Sequence, residues 1–286
     1  MSVPKKIDTF DQLYAEAIHP ELREHMNWSK ILIANDLSPS KAIEKSFAQN
    51  HRHVCQENHP HFVQDLNTSM RMIQDENALA QFPLSTIFSP ESVGEINEKK
   101  YLIFEQEFYE TKQKSQLLSR IEVELKQLGL TTSLITDMLT TADELFTNAI
   151  YNAPFVDLEN TNPGAKRGGE PISIPVERAA KLFIGVDNSR LVIGCKDHFG
   201  SLNLLKLFKR IKSCYDTSVA DNMNMTSGGG AGIGSFLVFN FCSSYYAAIK
   251  EGQYTVICCA VPIKMTGRAR LKSPKNLHFV IESMED

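Results

Sequence analysis

Glu144 and Asn148 lie four residues apart in the stretch Asp143-Glu-Leu-Phe-Thr-Asn-Ala-Ile. That spacing puts both on one helix face, a turn apart. Leu145, Phe146, Ala149 and Ile150 around them are apolar, so a polar pair interrupts a helix otherwise suited to burial. An asparagine oxygen is a hard ligand of the kind Mg²⁺ takes together with waters. A glutamate one turn away can orient or deprotonate an attacking hydroxyl. Asp197 ends the apolar run Leu191-Val-Ile-Gly-Cys-Lys, and Gly200 follows. A carboxylate at a strand end can accept from an exocyclic amine such as that of adenine. Gly228-Gly-Gly-Ala-Gly-Ile-Gly234 carries five glycines in seven residues, just before an apolar helix candidate. Backbone N–H groups freed by glycine and aimed by a helix N-terminus make a phosphate cradle. So many glycines would cost a merely structural turn much entropy. The run is not a GxxxxGK[ST] loop, and no strand immediately precedes it, which argues against a dinucleotide fold. Finally, Gly252-Gln-Tyr-Thr255 leads into an apolar run ending at Pro262.

These residues need elements to hold them. The first hundred residues read as a small α/β unit. Strand candidates are Lys30 to Ala34, His53 to Cys55 and Leu84 to Phe88; helices run from Ser38-Pro39 to about Gln49 and from Phe62 to Ala80. Ser-Pro pairs at 38–39 and 89–90 are cap-plus-proline start signals. A long helix is expected between Glu91 and Leu128, because Leu117, Ile121, Leu125 and Leu128 make one apolar face. Gly129 stops it. A second helix, from about Ser133 to Asn152, carries Glu144 and Asn148. Beyond a polar loop with Pro163-Gly164 and Gly168-Gly169, strands at Lys181 to Val186 and Leu191 to Lys196 form a hairpin. Helices are expected at Leu202 to Cys214 and Ser235 to Phe241, and a last hairpin pairs Tyr245 to Lys250 with Tyr254 to Ile263. Lys264 to Lys275, with five Lys or Arg and no acid, reads as a solvated loop before a strand at Leu277 to Ile281.

The order of the four stretches, each on its expected element, resembles the N, G1, G2 and final-strand motifs of the histidine-kinase-like (GHKL, or Bergerat) ATPases. Residues 143–150 are similar to the N-box of the anti-sigma-factor serine kinase branch. The resemblance covers about Gln113 to Ile263. It implies an α/β protein whose ATP-binding domain, residues 101–265, is a two-layer sandwich of helices on a mixed sheet. Residues 1–100 would form a regulatory or sensory α/β domain, and 266–286 a basic tail with a short strand. It implies ATP and Mg²⁺ as cofactors, with Asn148 holding the metal and Glu144 as catalytic base. Asp197 and Thr255 would bind the adenine amine. Asn152, Phe199 and Gly200 would also contact nucleotide, and Gly228, Gly230, Gly232, Ile233 and Gly234 would belong to the lid over the phosphates. One departure stands out. The family reads DxGxG where this chain has Asp197-His-Phe-Gly-Ser201, so Phe199 takes the place of the first glycine.

The implied activity is transfer of the ATP γ-phosphoryl to a Ser or Thr of a signalling partner of anti-anti-sigma or sigma type, in a bacterial cytoplasm. A homodimer is left open. The alternative is a non-catalytic module that senses ATP or ADP and docks a partner. A weaker third reading, an ATPase driving a dimer clamp, needs a large further domain, and only about twenty residues follow the last motif. The helices between 91 and 152 carry no histidine, which argues against an autophosphorylating histidine kinase.

Bulk properties agree with this reading. A hydrophobic content of 42%, 22% charge and a net charge of −4 suit a globular protein and give no argument for nucleic acid. No apolar run approaches the roughly 20 residues a membrane helix needs, and no secretory signal is read at the N-terminus. Six scattered cysteines without a CxxC pair are expected to be reduced thiols. His51, His53, Cys55, His59 and His61 crowd eleven residues and raise a Zn²⁺ site as a minor option. Lys30 to Ser40 faintly resembles the start of a response-regulator receiver, but Ser89 follows the third strand candidate where a phosphoacceptor Asp belongs.

Overall fold

Eight strands form one mixed sheet: β1 (Ile31–Ala34), β2 (His53–Gln56), β3 (Leu102–Phe108), β4 (Ala180–Val186), β5 (Arg190–Asp197), β6 (Ser244–Lys250), β7 (Tyr254–Pro262) and β8 (Asn276–Glu282). Their order across the sheet is β1-β2-β8-β6-β7-β5-β4-β3. β1 pairs β2 and β6 pairs β8 in parallel, and the other neighbours are antiparallel. The computed structural model describes residues 30–48, 51–88, 98–155, 171–217 and 233–282.

The helices are α1 (Pro39–Ala48), α2 (Phe62–Gln74), α3 (Ala78–Gln81), α4 (Pro83–Phe88), α5 (Glu98–Tyr101), α6 (Lys114–Gln127), α7 (Thr132–Thr147), α8 (Leu204–Asp216), α9 (Ile233–Phe241) and α10 (Gly267–Lys272). Successive strand residues point to opposite faces, and both faces of this sheet are covered. Leu182, Ile184, Leu191, Ile193, Ala247 and Cys259 point to one side, into a core shared with α1 and α6 to α9. Phe183, Val192, Tyr246, Ala248, Val256 and Cys258 point to the other, against Leu79 and Ala80 of α3 and Leu84, Ile87 and Phe88 of α4. Helix α2 covers β1 and β2 on that second face through Phe62, Leu66 and Met70. The α/β class holds. The expected two layers become three, with α1 and α6 to α9 on one face and helices from residues 62–88 on the other. The N-terminal strands β1 and β2 belong to the same sheet as the motif-bearing strands.

Four elements differ from the sequence reading. Leu84 to Phe88 is helix α4 rather than a strand; Pro83 opens it, and its apolar run is as compatible with a buried helix as with a strand. The long helix expected after residue 91 is divided. Strand β3 occupies 102–108, and α6 begins only at Lys114, after a capping box between Glu110 and Gln113. The helix from Phe62 breaks at Asp75 before α3. Within the basic stretch 264–275, residues Gly267–Lys272 fold as α10, and two charges of the stretch are buried. Arg270 reaches Asp137 of α7 at 3.0 Å, and Lys275 Nζ donates to the carbonyls of Asn240 (2.7 Å), Cys242 (2.6 Å) and Arg270 (3.3 Å). Lys275 thereby satisfies the end of α9, whose last carbonyls lack intrahelical donors.

A buried polar network ties the third layer to the sheet. Asp65 of α2 is fully buried. It accepts hydrogen bonds from Ser244 Oγ (2.5 Å), Tyr246 Oη (2.6 Å), Asn276 Nδ2 (2.7 Å) and Arg190 (3.2 Å). Arg190 also donates to the carbonyl of Ile87 at 3.1 Å and lies over the Phe88 ring. Burial opposes ionisation of Asp65, but His59, His278, Arg190 and the Ser244 hydroxyl outweigh it, and its carboxyl sits well below the usual range. Burial holds the His59 and His278 imidazoles down to about 4. At neutral pH the standing positive charge beside Asp65 is therefore Arg190.

Candidate functional site

Helix α7 positions the first pair. Thr131 caps it by accepting from the Leu134 amide at 3.3 Å. Leu134, Met138, Ala142, Leu145 and Phe146 turn one face into the core, and Phe146 stacks on Phe108 of β3 with centroids 4.4 Å apart. The helix then widens into a π segment at Asn148–Asn152. Such widenings are frequent at functional sites. Asn148 Nδ2 donates to Glu144 Oε1 at 3.2 Å, and Asn152 Nδ2 donates to Asn148 Oδ1 at 2.5 Å. Three of the named side chains thus form one hydrogen-bonded row.

Gly234, in the first turn of α9, lies directly against this row. A Cβ built there would fall 2.0 Å from Glu144 Oε2 and 2.2 Å from its carboxyl carbon. A side chain there would push the Glu144 carboxylate aside, so the glycine lets the carboxylate sit against the first turn of α9. Ile233 begins the same turn. Gly228, Gly230 and Gly232 lie outside the described residues.

Asp197 is the last residue of β5 and pairs in register with Thr255 of β7. Its Oδ1 accepts from the Phe199 amide at 2.9 Å, closing a turn in which Gly200 takes a φ of 61°. A Cβ at Gly200 would fall 2.0 Å from the Lys250 carbonyl, so both its conformation and its surroundings require glycine. Asp197 is buried. Burial pushes its carboxyl up to about 6, and the Phe199 and Gly200 amides and Thr255 offset only part of that. Thr255 stands near enough to favour the ionised form, yet its Oγ1 has no partner in hydrogen-bond geometry, although the residue is only 4% exposed. A buried hydroxyl left unpaired costs about 1–3 kcal/mol, which a polar ligand atom would relieve.

The two halves meet. Ser201 Oγ donates to the Ala153 carbonyl at 2.8 Å, tying the Asp197 turn to the end of the π segment. The Phe199 ring packs against the core, and the Arg178 guanidinium lies over it, 5.3 Å from its centroid. Arg178 and the Ser201–Ala153 link were not legible in the sequence, because both depend on how distant segments come together. The structure therefore brings together Glu144, Asn148, Asn152 and Gly234 in one group, and Asp197, Phe199, Gly200 and Thr255 in another.

Among the described residues no three His, Cys, Asp or Glu side chains assemble as metal ligands. The histidine cluster instead supports the Asp65 network: His59 Nδ1 lies 3.5 Å from Asp65 and accepts from the His61 amide at 3.1 Å. No described helix is long and apolar enough to cross a membrane. No family model matches the chain, and a search of curated proteins finds no match.

Proposed function

We propose that this chain is an ATP-binding signalling protein of the histidine-kinase-like type, with the anti-sigma-factor serine kinases as its nearest analogy. Bound with Mg²⁺, ATP would give its γ-phosphoryl to a Ser or Thr hydroxyl of a partner protein of anti-anti-sigma or sigma type. The observation that carries this reading is the pair Asp197 and Thr255. A desolvated carboxylate with a buried hydroxyl beside it, on adjacent strands, is suited to the amine edge of adenine. The fit for a metal rests on donor chemistry. Asn148 offers one neutral oxygen, which suits Mg²⁺ that keeps most of its shell in water and phosphate oxygens. Glu144 would take the proton of the attacking hydroxyl, and positioning and charge neutralisation would supply the rest. The helical layer α6 to α9 on β3 to β8 is compatible with a Bergerat fold, to which α2 to α4 add a second cover.

Phe199 favours a second reading. A packed phenyl ring stands where the related motif has glycine, and it would suit a module that binds nucleotide and docks a partner without transfer. Glu144→Ala separates the two. ADP formation would be followed with ATP and a library of Ser- and Thr-containing peptides, alongside ATP affinity. Retained binding with lost turnover supports the kinase. Absence of turnover in the unsubstituted protein, with ATP still bound, supports the docking module.

A further inference from the structure

Along an α-helix, positions four apart advance about 40° around the axis, so three residues at i, i+4 and i+8 spread over about 80°. Glu144, Asn148 and Asn152 have that spacing yet form a continuous hydrogen-bonded row. Residues four apart are neighbours on a helix, and the second of the two bonds spans the π segment at Asn148–Asn152. The row also has a direction. An ionised carboxylate can only accept, so Asn148 must turn its amide nitrogen towards Glu144. Its oxygen then faces Asn152, which must donate. The orientation of both amides follows from hydrogen-bond logic rather than from an arbitrary choice between oxygen and nitrogen.

We infer that Asn152 is a positioning residue that fixes the Asn148 oxygen for the metal and, through it, the Glu144 carboxylate under Gly234. This rests on the nucleotide-site reading above. Asn148 Oδ1 has two lone pairs, of which Asn152 engages one and leaves the second for a cation. With Asn152 absent, Asn148 is held through its nitrogen alone, by the bond to Glu144, and its oxygen loses the donor that fixes its position. Groups that orient a metal ligand are worth about 10–100-fold in metal affinity.

The test is calorimetric titration of the full chain with ATP, once in excess EDTA and once in Mg²⁺, taking the ratio of the two affinities. Asn152→Ala is expected to lower that ratio by about tenfold, with a larger loss of affinity in Mg²⁺ than in EDTA. Asn152→Gln, which restores a donor, is expected to recover part of the ratio. Adding Asn152→Ala to Asn148→Ala should change nothing further, because both act through one oxygen. An undiminished ratio in Asn152→Ala would overturn the inference and leave the nucleotide site standing. So would an equal loss of affinity in EDTA and in Mg²⁺, which marks a merely structural role. No ATP binding by the unsubstituted chain would instead remove the reading on which the inference rests.

Discussion

Replacing Asp197 with asparagine should make the protein more stable and less able to bind ATP. Burial raises the carboxyl from 3.8 to about 6. The folded state therefore holds its proton more tightly than the unfolded chain does. The corresponding stability is fully present below about pH 4 and is lost as pH rises through 6. A shift of about two units is worth about 3 kcal/mol above pH 6, borne as the cost of a desolvated anion. Asparagine can keep the bond from the Phe199 amide, since its oxygen accepts as Oδ1 does. It carries no charge to desolvate. Denaturant unfolding at pH 7.5 should thus show Asp197→Asn more stable by up to about 3 kcal/mol, and the difference should vanish at pH 4. Comparing the two proteins at each pH cancels every other titrating group. In the same variant the remaining amide nitrogen donates where adenine also donates, so ATP affinity should fall at least tenfold. A variant equally stable or destabilised at pH 7.5, with no pH dependence of the difference, would refute the argument. It would mean that neighbouring amides already compensate the buried charge.

Other perturbations follow from the same geometry. Gly234→Ala should push the Glu144 carboxylate aside at little cost in stability, since the new methyl meets only the end of a flexible side chain. ATP turnover should fall while urea unfolding shifts by less than about 1 kcal/mol, and an unchanged turnover would contradict the contact. Asp65→Ala should destabilise by about 3 kcal/mol, because it leaves Arg190 buried with only its longer pair to Asp187 at 3.4 Å and strips the acceptor from Ser244, Tyr246 and Asn276; a loss under about 1 kcal/mol in urea unfolding would show that the network is dispensable. Burial lowers the His59 and His278 pKa from 6.5 to about 4. The folded state therefore refuses protons that the unfolded chain accepts, and stability should decline as pH falls from about 6.5 to 4. His278→Phe should flatten that decline, and an unchanged slope would count against it. Lys275→Met should cost about 1–3 kcal/mol, since the carbonyls of Asn240 and Cys242 lose their Lys275 donor, and an unaltered denaturation midpoint would disagree.

Local signals carried much of the sequence reading. The β4–β5 and β6–β7 hairpins, α7 and α8 lie close to where periodicity and turn residues put them. The pairings Glu144 with Asn148 and Asp197 with Thr255 also came within reach, the first by helical spacing and the second through the resemblance to the family's motif order. What escaped was set by distant segments. β3 hid inside an expected helix, because its pairing with β4 outweighs the helical tendency of Glu105-Gln-Glu107. α4 passed for a strand, since a short apolar run suits either element. The partners of Asp65 are spread from His59 to Asn276, so no local pattern announced a buried acid. Arg270 and Lys275 looked solvated because burial of a basic group depends on acceptors elsewhere in the fold.

The most direct measurement is ATP titration by calorimetry on the full chain and on Asp197→Asn, with and without Mg²⁺. The account predicts binding by the unsubstituted chain that tightens with Mg²⁺ and is lost or strongly weakened in the variant. No binding up to millimolar ATP would contradict it, as would binding that Asp197→Asn leaves intact.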